Sequence, residues 1–245
     1  MLKKTFICIL IFALFVPANS GIGIHLKYKF KPGMRYKIIT KTNWIIKKSP
    51  ITAAEKKVYW RITANARYVN VFRNYKKAKI NFYISSNIFK LNNRRFRYNI
   101  PGKNVTFTMS SQGVTDLSKY SGTFARSFFY LTFPKELIAP GRDSWDNYYY
   151  FYGNKGNIRI KLTAKLEKLI RYRGRSTAVI TMTGNGKIGG YLNKYGKPYI
   201  NIKNTVYFDY INGRMILSKT AGNIKIERNG NVIPYSTFIS TTIIR

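Results

Sequence analysis

Apolar and polar residues alternate strictly along much of this chain, broken at short intervals by turn dipeptides, and that pattern most limits what it can fold into. In NIRIKLTAKLEK, Ile158, Ile160, Leu162, Ala164 and Leu166 fall on one side of an extended chain, with Arg159, Lys161, Thr163, Lys165 and Glu167 on the other. VYWRITANARYV places Val58, Trp60, Ile62, Ala64, Ala66 and Tyr68 opposite Arg61, Thr63, Asn65 and Arg67, and Lys77, Lys79 and Asn81 oppose Ala78, Ile80 and Phe82. Successive strand side chains point to opposite faces, so each segment reads as a strand with one buried and one wet side.

Turn signals separate these runs: Pro32-Gly33, Asn92-Asn93, Pro101-Gly102, Gln112-Gly113, Pro140-Gly141, GNKG at 153–156, Gly184-Asn185-Gly186, Asn212-Gly213 and Asn229-Gly230. Alternating strands joined by such turns predict hairpins. In FDYINGRMILSK, Asn212-Gly213 predicts a two-residue type I′ turn. IHLKYKFKPGMRYKIITKT, 24–42, predicts a first hairpin about Pro32-Gly33, with Leu26, Tyr28 and Phe30 inside and Lys27, Lys29 and Lys31 outside. One stretch, 116–137, breaks the period: Phe124, Phe128 and Leu131 have the spacing of a short amphipathic helix, bounded by Gly122 and Pro134. The expected fold is all-β, a curved antiparallel sheet forming a half-barrel or flattened barrel, with at most one short helix.

The first twenty residues differ in kind. Lys3 and Lys4 precede an apolar run from Thr5 to Val16, and Pro17, Ala18, Asn19 and Ser20 follow. This is the layout of a secretory signal peptide, residues 1–20, cleaved after Ser20. The run is shorter than the roughly 20 residues that a membrane-spanning helix needs. Export would place the chain in the periplasm or outside the cell. Cys8, the only cysteine, lies within this segment, so the mature chain offers no disulfide-linked partner, thiolate nucleophile or cysteine-ligated metal. No linker divides residues 21–245, which read as a single antiparallel β domain.

Charge then narrows the partners. The chain carries 44 Lys plus Arg against 8 Asp plus Glu, a net +36, and loss of Lys3 and Lys4 lowers this by two, to +34. Such a balance draws a protein to anionic surfaces and polymers. A lysine bias displayed on solvated faces would give the same count, and composition leaves both readings open.

Residue types that carry catalysis are scarce. His25 is the only histidine and lies near the mature terminus, so no base is placed for a nucleophile. Asp143 and Asp146, flanking Trp145, form the one close carboxylate pair; turn chemistry after Pro140-Gly141 accounts for Asp143 as readily as acid–base work does. The glycines at 184, 186, 189 and 190 lack the Lys-Ser/Thr and following helix of a phosphate loop, and read instead as a flexible hairpin loop. The run Tyr148, Tyr149, Tyr150, Phe151, Tyr152 suits a core, an apolar concavity or base stacking. The chain is therefore expected to be no enzyme and to have no catalytic, cofactor-binding or metal site.

Two patches, FPKELIAPGRDSW at 133–145 and YFDYINGRM at 207–215, resemble signatures of uncharacterised secreted bacterial β-rich proteins, which are similar in shape to lipoprotein-carrier half-barrels. The resemblance implies one curved sheet around an apolar concavity, with a buried tryptophan opening a strand. Arg142 interrupts the usual Gly-Asp pair, and no activity is carried across.

Together these features predict an exported, non-catalytic binding protein for an anionic envelope lipid or polymer, such as a lipid head group or lipopolysaccharide. Lys27, Lys29, Lys31, Arg159, Lys161 and Lys165 are the expected anion contacts. An outer-membrane β-barrel is an alternative, because alternating tyrosine-rich strands also describe one. A nucleic-acid-binding β domain is another, favoured by charge and disfavoured by export.

Overall fold

A computed structural model describes residues 23–72, 76–97, 104–117, 128, 131–153, 156–189 and 191–245, excluding the side chains at 149–153, 156–158 and 191. The expected signal segment, Pro101-Gly102, Asn154-Lys155 of GNKG, Gly190 and most of the 116–137 stretch, Phe124 included, lie outside these residues. The strands are β1 (Arg35–Ile46), β2 (Lys56–Phe72), β3 (Lys77–Leu91), β4 (Arg94–Phe96), β5 (Asn104–Ser110), β6 (Ser144–Gly153), β7 (Gly156–Tyr172), β8 (Arg175–Lys187), β9 (Lys197–Asp209), β10 (Arg214–Arg228) and β11 (Asn231–Ile244). They form one antiparallel 11-stranded sheet, ordered β4-β3-β2-β1-β11-β10-β9-β8-β7-β6, with β5 also paired to β3. A 3₁₀ turn covers Tyr191–Tyr195. The sheet is curved and open, as the alternation predicts.

Alternation also assigns the faces. Ile62, Ala64, Ala66 and Tyr68 of β2, Ala78, Ile80 and Phe82 of β3, and Ile160, Leu162, Ala164 and Leu166 of β7 are buried on the inner face. The outer face carries Lys41, Lys203 and Lys219, all exposed. That polarity is the inverse of a membrane barrel, whose outward band is apolar.

The opening segment departs from its expected hairpin. Pro32-Gly33 does turn, with Gly33 at φ 73° and Met34 N–H donating to Lys31 O at 3.2 Å, but residues 25–31 pair with no strand. Tyr28 N–H donates to Ser111 O at 2.7 Å and Lys29 N–H to Gly213 O at 3.1 Å, so the segment is a strap tying the end of β5 to the β9–β10 turn. Its extended backbone preserves the alternation, which is why it imitates a strand. Leu26, Tyr28 and Phe30 seal one end of the inner face. The Tyr28 ring lies 5.3 Å from Phe208 and 5.5 Å from Phe133, and Phe30 lies 5.3 Å from Tyr68.

Two turn assignments also change. Asn212-Gly213 belongs to a four-residue connection, Tyr210–Gly213, because the buried Asp209 carboxylate accepts from Asn212 N–H and Nδ2, both at 2.9 Å, and organises a longer turn. The Gly184-Asn185-Gly186 stretch is strand, not a flexible loop: a Cβ on Gly184 would stand 2.3 Å from Lys161 O, and one on Gly186 would stand 3.2 Å from Ile160. These glycines let β7 press onto β8. Tight two-residue turns occur instead at Asn92-Asn93, Asn229-Gly230 and Arg173-Gly174, each with both φ angles positive.

A polar cluster lies under the strap. Arg214, Tyr28, Tyr36 and Tyr68 help to line a cavity of about 30 Å³. Arg214 Nε is 3.9 Å from Asp209 Oδ2, close enough for attraction but too long for a hydrogen bond. Burial pushes the Tyr68 hydroxyl well above its ordinary pKa, aided by Tyr36; burial also raises Tyr36. A folded-state pKa above the unfolded one favours the folded state fully below about pH 10, and this contribution is lost as pH climbs through the folded value. Urea melts at stepped pH should therefore show stability falling above about pH 10, less steeply in Tyr68→Phe; equal slopes would contradict this assignment.

Gly213 and Gly230 test the strap. Both have positive φ, but a Cβ on Gly230 meets nothing within 4 Å, whereas one on Gly213 would stand 2.3 Å from Lys29 N. Gly230→Ala should cost about 1–2 kcal/mol. Gly213→Ala should cost clearly more, since the strap must also move, and thermal melts compare the two.

Candidate functional site: an aromatic shelf with a basic rim

Away from the strap, the inner face of β1–β3 is only partly covered by the described residues. A belt of hydroxyl and amide groups marks the boundary. Thr40 and Thr242 hydroxyls are 2.8 Å apart, those of Thr42 and Ser240 2.9 Å, and Ser218 donates to Asn204 Oδ1 at 3.1 Å. These groups satisfy one another across strands, so their burial is tolerated. Beyond the belt, Trp44, Val58, Trp60, Phe89 and Leu91 are half-buried and Phe96 is 47% exposed.

Register brings these side chains onto one surface. Trp60 is paired with Thr42 on one side and Phe89 on the other, Phe89 with Phe96, and Val58 with Trp44 and Leu91. Trp60 Nε1 donates to Asn87 Oδ1, and its ring is 6.0 Å from Phe89. Trp44 packs on Phe238 at 5.6 Å, and Phe238 lies across Gly222, where a Cβ would come within 2.3 Å of its ring.

The same registers surround this shelf with cations. Ile46 is followed by Lys47 and Lys48 and is paired with Lys56; Lys57 opposes Ile45. Asn92 N–H donates to Lys57 O at 2.8 Å, holding the β3–β4 turn, with Arg94 and Arg95 just beyond it, against this end. Glu55, 3.8 Å from Lys57, is the acidic residue of this group. The residues 47–57 and 90–96 therefore converge, although more than thirty positions separate them in sequence. Doubled basic residues beside strand-end aromatics are the signal in the sequence, but doubled lysines are common in so basic a chain and do not by themselves single out this end.

The six expected anion contacts do not form one cluster of contacts. Lys27, Lys29 and Lys31 project from the strap, and Lys29 Nζ donates to Ile211 O at 2.6 Å. Arg159, Lys161 and Lys165 lie on the outer side of β7: Arg159 sits 3.5 Å over the Tyr148 ring and Lys161 pairs with Asp146 at 2.8 Å. Asp146 raises the Lys161 pKa by hydrogen bonding and charge. Lys165 belongs to an outer row running through Thr181, Thr205, Lys219, Thr241, Lys41 and Arg61.

Other candidates have structural partners. Asp143 Oδ2 accepts from Ala139 N–H at 2.7 Å, as turn chemistry requires. Trp145 opens β6, half-buried, and donates to Thr132 O at 2.8 Å. His25 is exposed. Among the described residues no three His, Cys, Asp or Glu side chains stand together as metal ligands would.

No family model and no curated protein matches the chain. Among solved structures, one of lipovitellin, concerned with its lipid–protein interactions, aligns with 88% of this chain at a TM-score of 0.47 and 8% identity. The chain spans 25% of that protein's length. DynF, from the dynemicin biosynthesis pathway of Micromonospora chersina, aligns over 92% of this chain and 89% of its own at a TM-score of 0.29 and 8% identity.

Gly222→Ala should displace Phe238 into Trp44. A clash with a buried ring costs about 1–3 kcal/mol, and the emission of Trp44, one of 3 tryptophans, should change with it. Unchanged emission and stability would remove Gly222 from the support of the shelf.

Proposed function

We propose that this chain is an exported, non-catalytic binding protein for an anionic envelope lipid. The observation carrying the proposal is the shelf itself, where partly exposed aromatic and aliphatic side chains end at a cationic rim. A soluble domain leaves such an apolar patch for a reason, commonly a ligand or a membrane. Tryptophan rings with neighbouring lysines suit the boundary between acyl chains and phosphate, since each ring offers an apolar body and a polar edge. Export to the envelope would bring the protein to such lipids directly, and the strap and outer-face cations would add long-range attraction.

The test compares three triple substitutions to glutamine that remove equal charge: Lys47, Lys48 and Lys56 at the rim; Lys27, Lys29 and Lys31 on the strap; Arg159, Lys161 and Lys165 on β7. Sedimentation with phosphatidylglycerol vesicles at physiological salt measures each. A basic residue at an anionic surface contributes about 1 kcal/mol within a Debye length of roughly 8 Å. The rim triple should therefore weaken binding by about 100-fold, well beyond the others. Equal losses would mean that the attraction belongs to total charge and the rim has no special part.

A further inference from the structure

Two hydrogen-bond donors on the β1–β11 side of the shelf have no partner among the described residues: the indole Nε1–H of Trp44 and the hydroxyl of Ser236. Ser236 is 1% exposed. The neighbouring belt groups pair across strands, as in the Thr40–Thr242 and Thr42–Ser240 contacts, and the other unpartnered buried polar atoms among the described residues are Asn81 Oδ1 and Arg214 Nε. Trp44 stands opposite Phe238 and Ser236 opposite Ile46, so the two are diagonal neighbours on β1 and β11. Diagonal pairs stand roughly 7–8 Å apart, within reach of a shared group for long side chains.

From this placement, and resting on the lipid reading above, we infer that the shelf receives the ester end of one acyl chain, whose carbonyl oxygen accepts hydrogen bonds from Trp44 Nε1 and Ser236 Oγ. An indole N–H only donates, so a group that pairs with it must be an acceptor, and a carbonyl has two lone pairs to offer. The flanking residues Phe238, Ile46, Ile224 and Gly222 are apolar, so a water there would have only Trp44 Nε1 and Ser236 Oγ, the fewest partners that hold a buried water, whereas an ester carbonyl brings an apolar chain to the same surroundings. The position also matches the order of groups in a phospholipid. Ile46 ends β1, and Lys47, whose N–H donates to Tyr235 O at 2.9 Å, begins the basic rim. An ester held at Ser236 sets the phosphate toward that rim and the chain toward Val58, Trp60 and Phe89. Both donor atoms are closed to solvent, so the oxygen enters as the Trp44 ring moves off Phe238. The protein thus lifts a lipid partly out of the bilayer and does more than rest on its surface.

The test uses short-chain phosphatidylglycerol below its micellar concentration, in a diester form and in a diether form that lacks carbonyl oxygens. Binding is followed by calorimetry and by tryptophan emission. The full chain should bind the diester about tenfold more tightly than the diether, as expected for two neutral hydrogen bonds. Ser236→Ala should weaken diester binding by about fivefold, leaving diether binding and vesicle sedimentation unchanged, and Trp44→Phe should lower diester affinity by a larger factor than diether affinity. Equal affinity of the unaltered protein for the two lipids overturns the inference without reliance on any variant. If that equality accompanies normal vesicle sedimentation, the lipid reading stands and the ester site alone fails; if vesicles are not bound either, both fail.

Discussion

An open sheet has an apolar face that neighbouring strands cannot cover, and everything else in this structure follows from how that face is closed. The strap closes one end. Lys29 N–H on Gly213 O and Tyr28 N–H on Ser111 O fix its path, and Leu26, Tyr28 and Phe30 fill the space beneath. Burying three large side chains contributes several kcal/mol, at roughly 1.5–3 kcal/mol each. The segment is short, so it reaches only one end of long strands. β2 and β7 each run for 17 residues, about 55 Å at a rise near 3.3 Å.

The belt of Thr40, Thr42, Ser218, Ser240 and Thr242 lies where the closed part of the inner face gives way to the open part. Its side chains are mostly paired, so the core below remains apolar and the belt costs little. Above it, β1–β3 carry aromatic rings that the other described residues bury only in part. Uncovered apolar surface and a concentration of lysine both oppose folding, the first through hydration and the second through self-repulsion. They coincide at one end of one face, and the lipid proposed as ligand would relieve both, the first by its acyl chain and the second by its phosphate.

Much of the fold was legible. From Arg159 on, NIRIKLTAKLEK places its buried and wet residues as the period-two rule demands, as does VYWRITANARYV, and Asp143 behaves as a turn residue should. The misreadings share a cause. Residues 24–31 alternate as a strand does, yet form a strap, because alternation records which side of an extended chain is buried and not what its backbone bonds to. Gly184 and Gly186 mimic a turn, yet occupy β8, because small size serves close approach as well as it serves chain reversal. Asn212-Gly213 has the sequence of a tight turn, but the Asp209 carboxylate organises a longer one.

What the sequence determined by itself was the set of extended, one-sided segments and a cationic surface, because side-chain alternation and net charge are local or additive properties. Register and strand order were decided by tertiary structure alone. Pairing Ile46 with Lys56, Tyr59 with Lys90 and Phe89 with Phe96 gathers Trp44, Trp60, Phe89 and the basic turns into one place. Pairing β1 with β11 sets Trp44 beside Ser236, nearly two hundred residues away. Such coincidences depend on which strands meet and with what offset, which is fixed by long-range packing of the inner face and the strap, and no short stretch of sequence contains that information.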